Sequence, residues 1–184
     1  INVNAFQSNF EDKGKVHSGF RKAYLSIRER LHEHVKVNSL PVFITGHSLG
    51  AALAILATSD FYENVNFDSC YTFGSPRIGN RCFIESIKCK RIYRVVNNCD
   101  VVTTVPVTFA HINYNHVGTA YLIDDNGALI ENLSEEEIYN YQISTLEGQK
   151  DAVISNTFKN ALSLLSNDLP HFLIDHAPIN YVLM

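Results

Sequence analysis

Residues Val42–Ala54 read Val-Phe-Ile-Thr-Gly-His-Ser-Leu-Gly-Ala-Ala-Leu-Ala, and no other stretch constrains the fold as tightly. Gly46-His47-Ser48-Leu49-Gly50 is a G-x-S-x-G pentapeptide set between a short apolar run and a long one. That is the setting of a nucleophile elbow, a sharp strand-to-helix turn that lifts a serine Oγ clear of the backbone. Glycines on both sides of the serine are expected to remove side chains that would collide as strand folds back over helix. The pentapeptide alone is a weak signal, and its flanks make it specific. Pro41-Val42-Phe43-Ile44-Thr45 has the apolar, partly β-branched character of a buried parallel strand. Leu49 to Ala57 is rich in Ala and Leu, with no breaker after Gly50, which suits a buried helix. The competing reading is a plain Gly-Ser turn between two core elements.

The balance of 46% hydrophobic and 18% charged residues over 184 positions is that of a soluble globular chain able to bury one sizeable core. A net charge of −4, with no Lys/Arg run, argues against nucleic acid or an anionic membrane surface as partner. No stretch approaches the ~18 apolar residues of a membrane-spanning helix. The four cysteines, Cys70, Cys82, Cys89 and Cys99, form neither a CxxC pair nor a zinc pattern. Cys70 and Cys99 sit at strand-like or apolar positions and read as buried thiols. A Cys82–Cys89 disulfide is open on spacing alone, and the compartment stays open between secreted and cytoplasmic.

The chain reads as one domain over residues 1–184, without linker or repeat. Residues 1–15 are polar and irregular. From Ser18 to about Val37, Phe20, Ala23, Tyr24, Ile27, Leu31 and Val35 recur at spacings of three and four, which predicts an amphipathic helix. The strand at 41–45, the elbow and a helix to about Phe61 follow. Ser69–Phe73 is a second strand, Asn80–Ile87 a short helix and Arg91–Val96 a third strand. Tyr121–Asp124 and Ala128–Leu133, joined around Asp125-Asn126-Gly127, predict a β-hairpin. Ser134-Glu135-Glu136-Glu137 resembles a capping box opening a helix. A further helix is expected over Thr157–Leu165. Alternation of helix and strand from 18 to 96 predicts an α/β fold, with parallel strands joined by right-handed crossovers. Ligands in such folds lie at the carboxyl ends of the strands, where Ser48 and Asp100 both fall.

A serine hydroxyl needs a base to take its proton, and the base needs a carboxylate to hold its tautomer. In α/β-hydrolases the chain order is serine, acid, histidine. Asp100, just past the strand at Arg91–Val96, is the best acid, the alternative being an Asx-turn residue at the strand exit. Asp68, Asp124 and Asp125 read as turn or strand-end residues. Four histidines follow: His111, His116, His171 and His176. Either of the first two could be a structural histidine bonded to a backbone carbonyl. The terminal loop is where this order places its base, and His176 is preferred there over His171. His47 is expected to point beneath the sheet as a packing residue. The backbone N–H of Leu49, at the start of its helix, is one oxyanion donor. Phe109, Ile112 and Leu173 are candidate apolar wall residues.

Five ordered segments carry a resemblance to a known family. They are Val16-His17-Ser18-Gly19-Phe20; Gly46 to Ala54; Tyr71-Thr72-Phe73-Gly74-Ser75-Pro76-Arg77-Ile78-Gly79-Asn80; Tyr93 to Val102 with Pro106 after it; and Tyr114-Asn115-His116-Val117-Gly118 leading to Tyr121. Together with Asp175-His176 and Tyr181, they resemble the class 3, fungal-type lipases of the α/β-hydrolase fold. The resemblance implies a mostly parallel sheet with flanking helices and a C-terminal hairpin plus helices. It implies Ser48 as nucleophile, Asp100 as acid and His176 as base, acting on lipid or small ester substrates. Neither metal nor organic cofactor is implied, and contact with a lipid interface is. The family's N-terminal strands, its second oxyanion donor and most of its lid would lie before residue 1, so this chain reads as N-terminally truncated. The alternative is a weak or inactive hydrolase-like module that binds lipid or protein.

Overall fold

Four parallel strands in sequence order form the centre of the molecule. The computed structural model describes residues 6–36, 39–106, 112–148 and 175–181. Strands β3 (Val42–His47), β4 (Phe67–Phe73), β5 (Ile92–Asn97) and β6 (Thr119–Ile123) pair in parallel, and β7 (Leu129–Glu131) closes the sheet antiparallel to β6. The sheet is mostly parallel and flanked by helices, as the alternation of strand and helix predicts. The β6–β7 hairpin turns where Asp-Asn-Gly predicted it. Asp124 Oδ1 accepts from the Asn126 and Ala128 amides, and Gly127 takes the left-handed φ of 79° that the turn requires.

Helix α3 (Leu49–Phe61) connects β3 to β4, and it is apolar all round. Such a helix must be enclosed. Its Ala52, Ile55 and Leu56 are buried in one core with Phe20 and Tyr24 of α1 (Ser18–Leu25), Phe83 of α4 (Arg81–Ser86), Cys70 of β4 and Ile92 of β5. At the far end of the same sheet face, α5 (Glu135–Gly148) lays Ile138 over Val96, Ala120 and Leu122. The capping box at its start is formed: Ser134 Oγ and N donate to Glu137 Oε2 at 2.7 Å, and the Glu137 amide returns a bond to Ser134 Oγ. No helix among the described residues is long and apolar enough to cross a membrane.

Three expectations are corrected, and one open cysteine pairing is resolved. Within residues 1–15, read as irregular, an antiparallel hairpin begins, formed by β1 (Gln7–Asn9) and β2 (Lys15–His17), and it buries Phe10 and Val16. Strands of three residues are too short to show a period in the sequence. The helix expected from Ser18 to about Val37 breaks into α1 and α2 (Arg28–Lys36). Ser26 Oγ donates to the Ala23 carbonyl at 2.7 Å at the break, a bond that competes with helical continuation. The strand at the elbow is not buried on both faces. In β3, the outermost strand of this sheet among the described residues, Phe43 is 64% exposed. All four cysteines are free thiols, so Cys82 and Cys89 are not bridged, while Cys70 and Cys99 are buried as read. Burial pushes both buried thiols up to about 11. The helix expected over Thr157–Leu165 lies outside the described residues.

Candidate active site

One residue, Ser48, separates β3 from α3, and it takes φ 56°, ψ −124°. That conformation is strained for any residue with a Cβ. It is held by the Ser48 amide donating to the Phe73 carbonyl at 3.0 Å, and by Ala51 N donating back to the Ser48 carbonyl at 3.0 Å. A Cβ on Gly46 would sit 2.2 Å from the Gly50 carbonyl oxygen, so strand and helix can approach only if residue 46 is glycine. The other elbow glycine differs from expectation. A Cβ on Gly50 would meet nothing within 4 Å, because that position faces open space. Leu49 begins α3, where the first amides of a helix lack intrahelical acceptors and remain available to an anion.

Asp100 ends the turn that leaves β5 and is completely buried. Its Oδ1 accepts from the Val102 amide at 2.9 Å, capping the 3-10 helix Val101–Thr104. The Asx-turn reading and the acid reading therefore describe the same side chain. Its Oδ2 accepts from the Tyr181 hydroxyl at 2.6 Å and faces His176 Nδ1 at 2.9 Å. Burial, reinforced by the Asp100 charge, pushes the Tyr181 hydroxyl far above its ordinary pKa. The phenol thus stays a neutral donor at any working pH. From α5, Gln142 Nε2 donates to the carbonyls of Asn98 and Asp100 and steadies the turn from behind.

His176 Nε2 lies 2.8 Å from Ser48 Oγ. With Asp100 at Nδ1, the neutral ring carries its proton on Nδ1 and turns a lone pair toward the Ser48 hydroxyl. The segment 175–181 that bears it is pinned to the end of β5. Asn97 Nδ2 donates to the Asp175 carbonyl at 3.0 Å, Cys99 N to the Asp175 carboxylate at 3.2 Å, and Asn97 N to the Tyr181 oxygen at 3.2 Å. Gly74, after β4, permits this convergence. At its φ of 55°, a Cβ would lie 2.6 Å from Asp100 Oδ2 and 2.9 Å from His176 Nδ1.

The other candidates fall elsewhere. His116 is buried, with Nε2 donating to the Thr103 carbonyl at 2.8 Å. Burial and then the neighbouring Arg94 hold its pKa well below the usual histidine value, so it is a neutral structural ring beneath the acid turn. His111, His171, Phe109 and Leu173 lie outside the described residues, and Ile112 is half-buried. His47 does not point away from the site. Its ring lies against that of His176, with centroids 4.6 Å apart. Gly74, Asn97 and Tyr181 lie in the family-like segments, but sequence reasoning assigned them no role, because their contacts span distant parts of the chain.

A hydroxyl, an imidazole and a buried carboxylate in hydrogen-bonded series can move a proton from the hydroxyl to the ring as the oxygen attacks an electrophile. The comparisons with known proteins agree with this architecture. A family profile described as Lipase (class 3) matches residues 1–110. The chain is 40% identical over 103 residues to a secreted mono- and diacylglycerol lipase of Malassezia globosa, covering 50% of this chain and 34% of that protein. It is 39% identical over 107 residues to a chloroplastic phospholipase A(1) of Arabidopsis thaliana, covering 50% of this chain and 24% of that one. The triacylglyceride lipase of Rhizomucor miehei superposes with a TM-score of 0.64 at 28% identity, over 74% of this chain and 58% of that one. The chain thus spans only about a quarter to a third of these two curated relatives. An elbow serine, a post-strand acid and a matching profile over more than half of the residues lead to one conclusion: the chain belongs to the class 3 lipase family.

Proposed function

We propose that this chain is a serine acyl-ester hydrolase acting on lipid esters, with Ser48 as nucleophile, His176 as base and Asp100 as acid. The observation that carries the reading is the continuous series Ser48 Oγ, His176 Nε2, His176 Nδ1, Asp100 Oδ2, with links of 2.8 and 2.9 Å. In the first half-reaction, Ser48 Oγ bonds to the ester carbonyl carbon while its proton passes to His176 Nε2. The developing oxyanion is met by the Leu49 N–H. The tetrahedral intermediate collapses, the ester C–O bond breaks, and the alcohol leaves with the proton from His176. Water then repeats the sequence on the acyl-enzyme and releases the carboxylic acid. Asp100 keeps its proton-free carboxylate throughout and stabilises the imidazolium. The names of the relatives favour acylglycerols or phospholipids as the esters, and with them contact with a lipid interface.

Hydrolysis of p-nitrophenyl esters from acetate to palmitate, by this chain and its Ser48→Ala variant, tests the reading. Expected are serine-dependent turnover lost by at least about 10⁴-fold in the variant, rapid labelling of Ser48 by a fluorophosphonate, and an optimum at the longer acyl chains. Equal hydrolysis by both proteins would overturn the nucleophile. A wild-type chain that neither turns over nor labels would favour a non-catalytic binding module.

A further inference from the structure

We infer that His47 is a positioning residue, which sets the distance between nucleophile and base by tying the His176 segment to the strand that carries Ser48. The inference rests on the proposed roles of Ser48 and His176. His47 Nε2 lies 2.8 Å from the carbonyl oxygen of His176. A carbonyl only accepts, so Nε2 carries the hydrogen, and the tautomer of His47 follows from its partner. The two imidazoles are offset at 4.6 Å with 31° between their planes, and the Tyr181 ring meets His47 edge-on at 5.7 Å.

The direction of this tie is what distinguishes it. The other hydrogen bonds described for the backbone and flanks of 175–181 run to Asn97, Asn98, Cys99 and Asp100, at the end of β5. They fix the base relative to the acid. None of them fixes it relative to Ser48, which hangs from β3 two strands away in the order β3-β4-β5. His47 is the last residue of β3 and the immediate neighbour of Ser48. Its bond to the His176 main chain links the two bodies directly, at 129 residues' separation. The bond needs no change during turnover, because it uses the carbonyl of His176 and leaves both ring nitrogens to Ser48 and Asp100. A placement error of about 1 Å between reacting groups costs on the order of 10²-fold in rate.

Two substitutions separate the hydrogen bond from the ring contact. His47→Phe keeps an aromatic ring against His176 and loses the donor. His47→Gln loses the ring and keeps an N–H that reaches about as far as Nε2. Steady-state kinetics on a p-nitrophenyl ester and fluorophosphonate labelling rates are measured for the wild type and both variants, with thermal melts to verify folding. For His47→Phe the expected result is a fall in kcat of roughly 10- to 100-fold with KM within about twofold, and an equal fall in labelling rate. His47→Gln should hold kcat within about threefold of wild type. Wild-type kcat in His47→Phe, or equal impairment of both variants, overturns the inference and leaves His47 a packing residue. If His47→Phe does not fold, His47→Gln decides alone: retained kcat supports the tie, and a loss beyond about tenfold overturns it. A wild-type chain without turnover or labelling overturns the reading of Ser48 itself, and this inference with it.

Discussion

Two aspartates in this protein have nearly the same tyrosine and histidine neighbours and differ in their charge partners. Asp60, at the end of α3, accepts from the Tyr24 hydroxyl at 2.5 Å and lies 2.9 Å from His32 Nε2. Asp100 accepts from the Tyr181 hydroxyl at 2.6 Å and lies 2.9 Å from His176 Nδ1. Both carboxylates are buried, with side chains 5% and 0% exposed. The difference is a permanent cation. Arg28 grips Asp60 through Nε and Nη2, both at 2.6 Å, and reaches on to Glu11. Among the described residues, no Lys or Arg forms an ion pair with Asp100. The charge of Asp60 is therefore neutralised in the resting fold, and its cluster joins α1, α2 and α3. Among the described residues, the group that could balance the charge of Asp100 is the imidazole of His176, which on the proposed mechanism becomes an imidazolium beside Ser48. On the proposed mechanism, an Asp-His-Tyr cluster serves as a rivet or a relay according to whether an arginine has already claimed the carboxylate.

Asparagine at each aspartate breaks the parallel most sharply. Asp100→Asn leaves an acceptor and a donor where two acceptors are needed, and His176 turns to the wrong tautomer. A fall in kcat of about 10⁴-fold is expected, measured on a p-nitrophenyl ester. Asp60→Asn should leave kcat unchanged and lower the unfolding free energy in urea by roughly 2–4 kcal/mol, because Arg28 loses its buried partner. Loss of activity in both variants would show that the two clusters do not divide their roles this way.

The paired tyrosines give a smaller contrast. Tyr181→Phe removes one donor from Asp100 and loosens the segment that carries His176, and kcat on a p-nitrophenyl ester should fall by roughly tenfold. Tyr24→Phe should cost about 1–3 kcal/mol of stability in urea and leave kcat in place.

The last contrast is a pH dependence of stability. Burial alone would raise the Asp60 carboxyl, but the hydrogen bonds from Arg28, Tyr24 and His32 outweigh it and hold the group at about 2. A carboxyl whose folded pKa is depressed stabilises the fold above its unfolded pKa, and that contribution is lost as pH falls through the folded value. The wild type should therefore lose about 2 kcal/mol relative to Asp60→Asn between roughly pH 4 and pH 2. A constant difference across that window, in urea titrations at each pH, would refute the assignment.

Much of the fold was legible because it is written locally. Helix α3 declares itself by apolar residues on every side, the β6–β7 turn by Asp-Asn-Gly, and α5 by Ser134 and Glu137 three positions apart. Glycine at 46 is a local requirement too, since the carbonyl it would strike is only four residues on. The β1–β2 hairpin escaped because its strands are shorter than any readable period. The break at Ser26 escaped because one side-chain hydrogen bond outweighs an otherwise continuous helical pattern.

Within the site, the sequence alone determined the serine, its strained turn and an acid at the exit of a strand, since each depends on neighbours a few residues away. Tertiary structure decided the rest. That His116 binds a carbonyl while His176 meets Ser48 depends on contacts across 13 and 128 residues respectively. That Asp60, and among the described residues not Asp100, is paired with an arginine depends on which helix packs beside which carboxylate. Local propensities act over a few residues of chain. Chain order pointed to which aspartate and which histidine to expect, while the charge balance and separation of these groups are set by what the folded topology brings within about 3 Å of them.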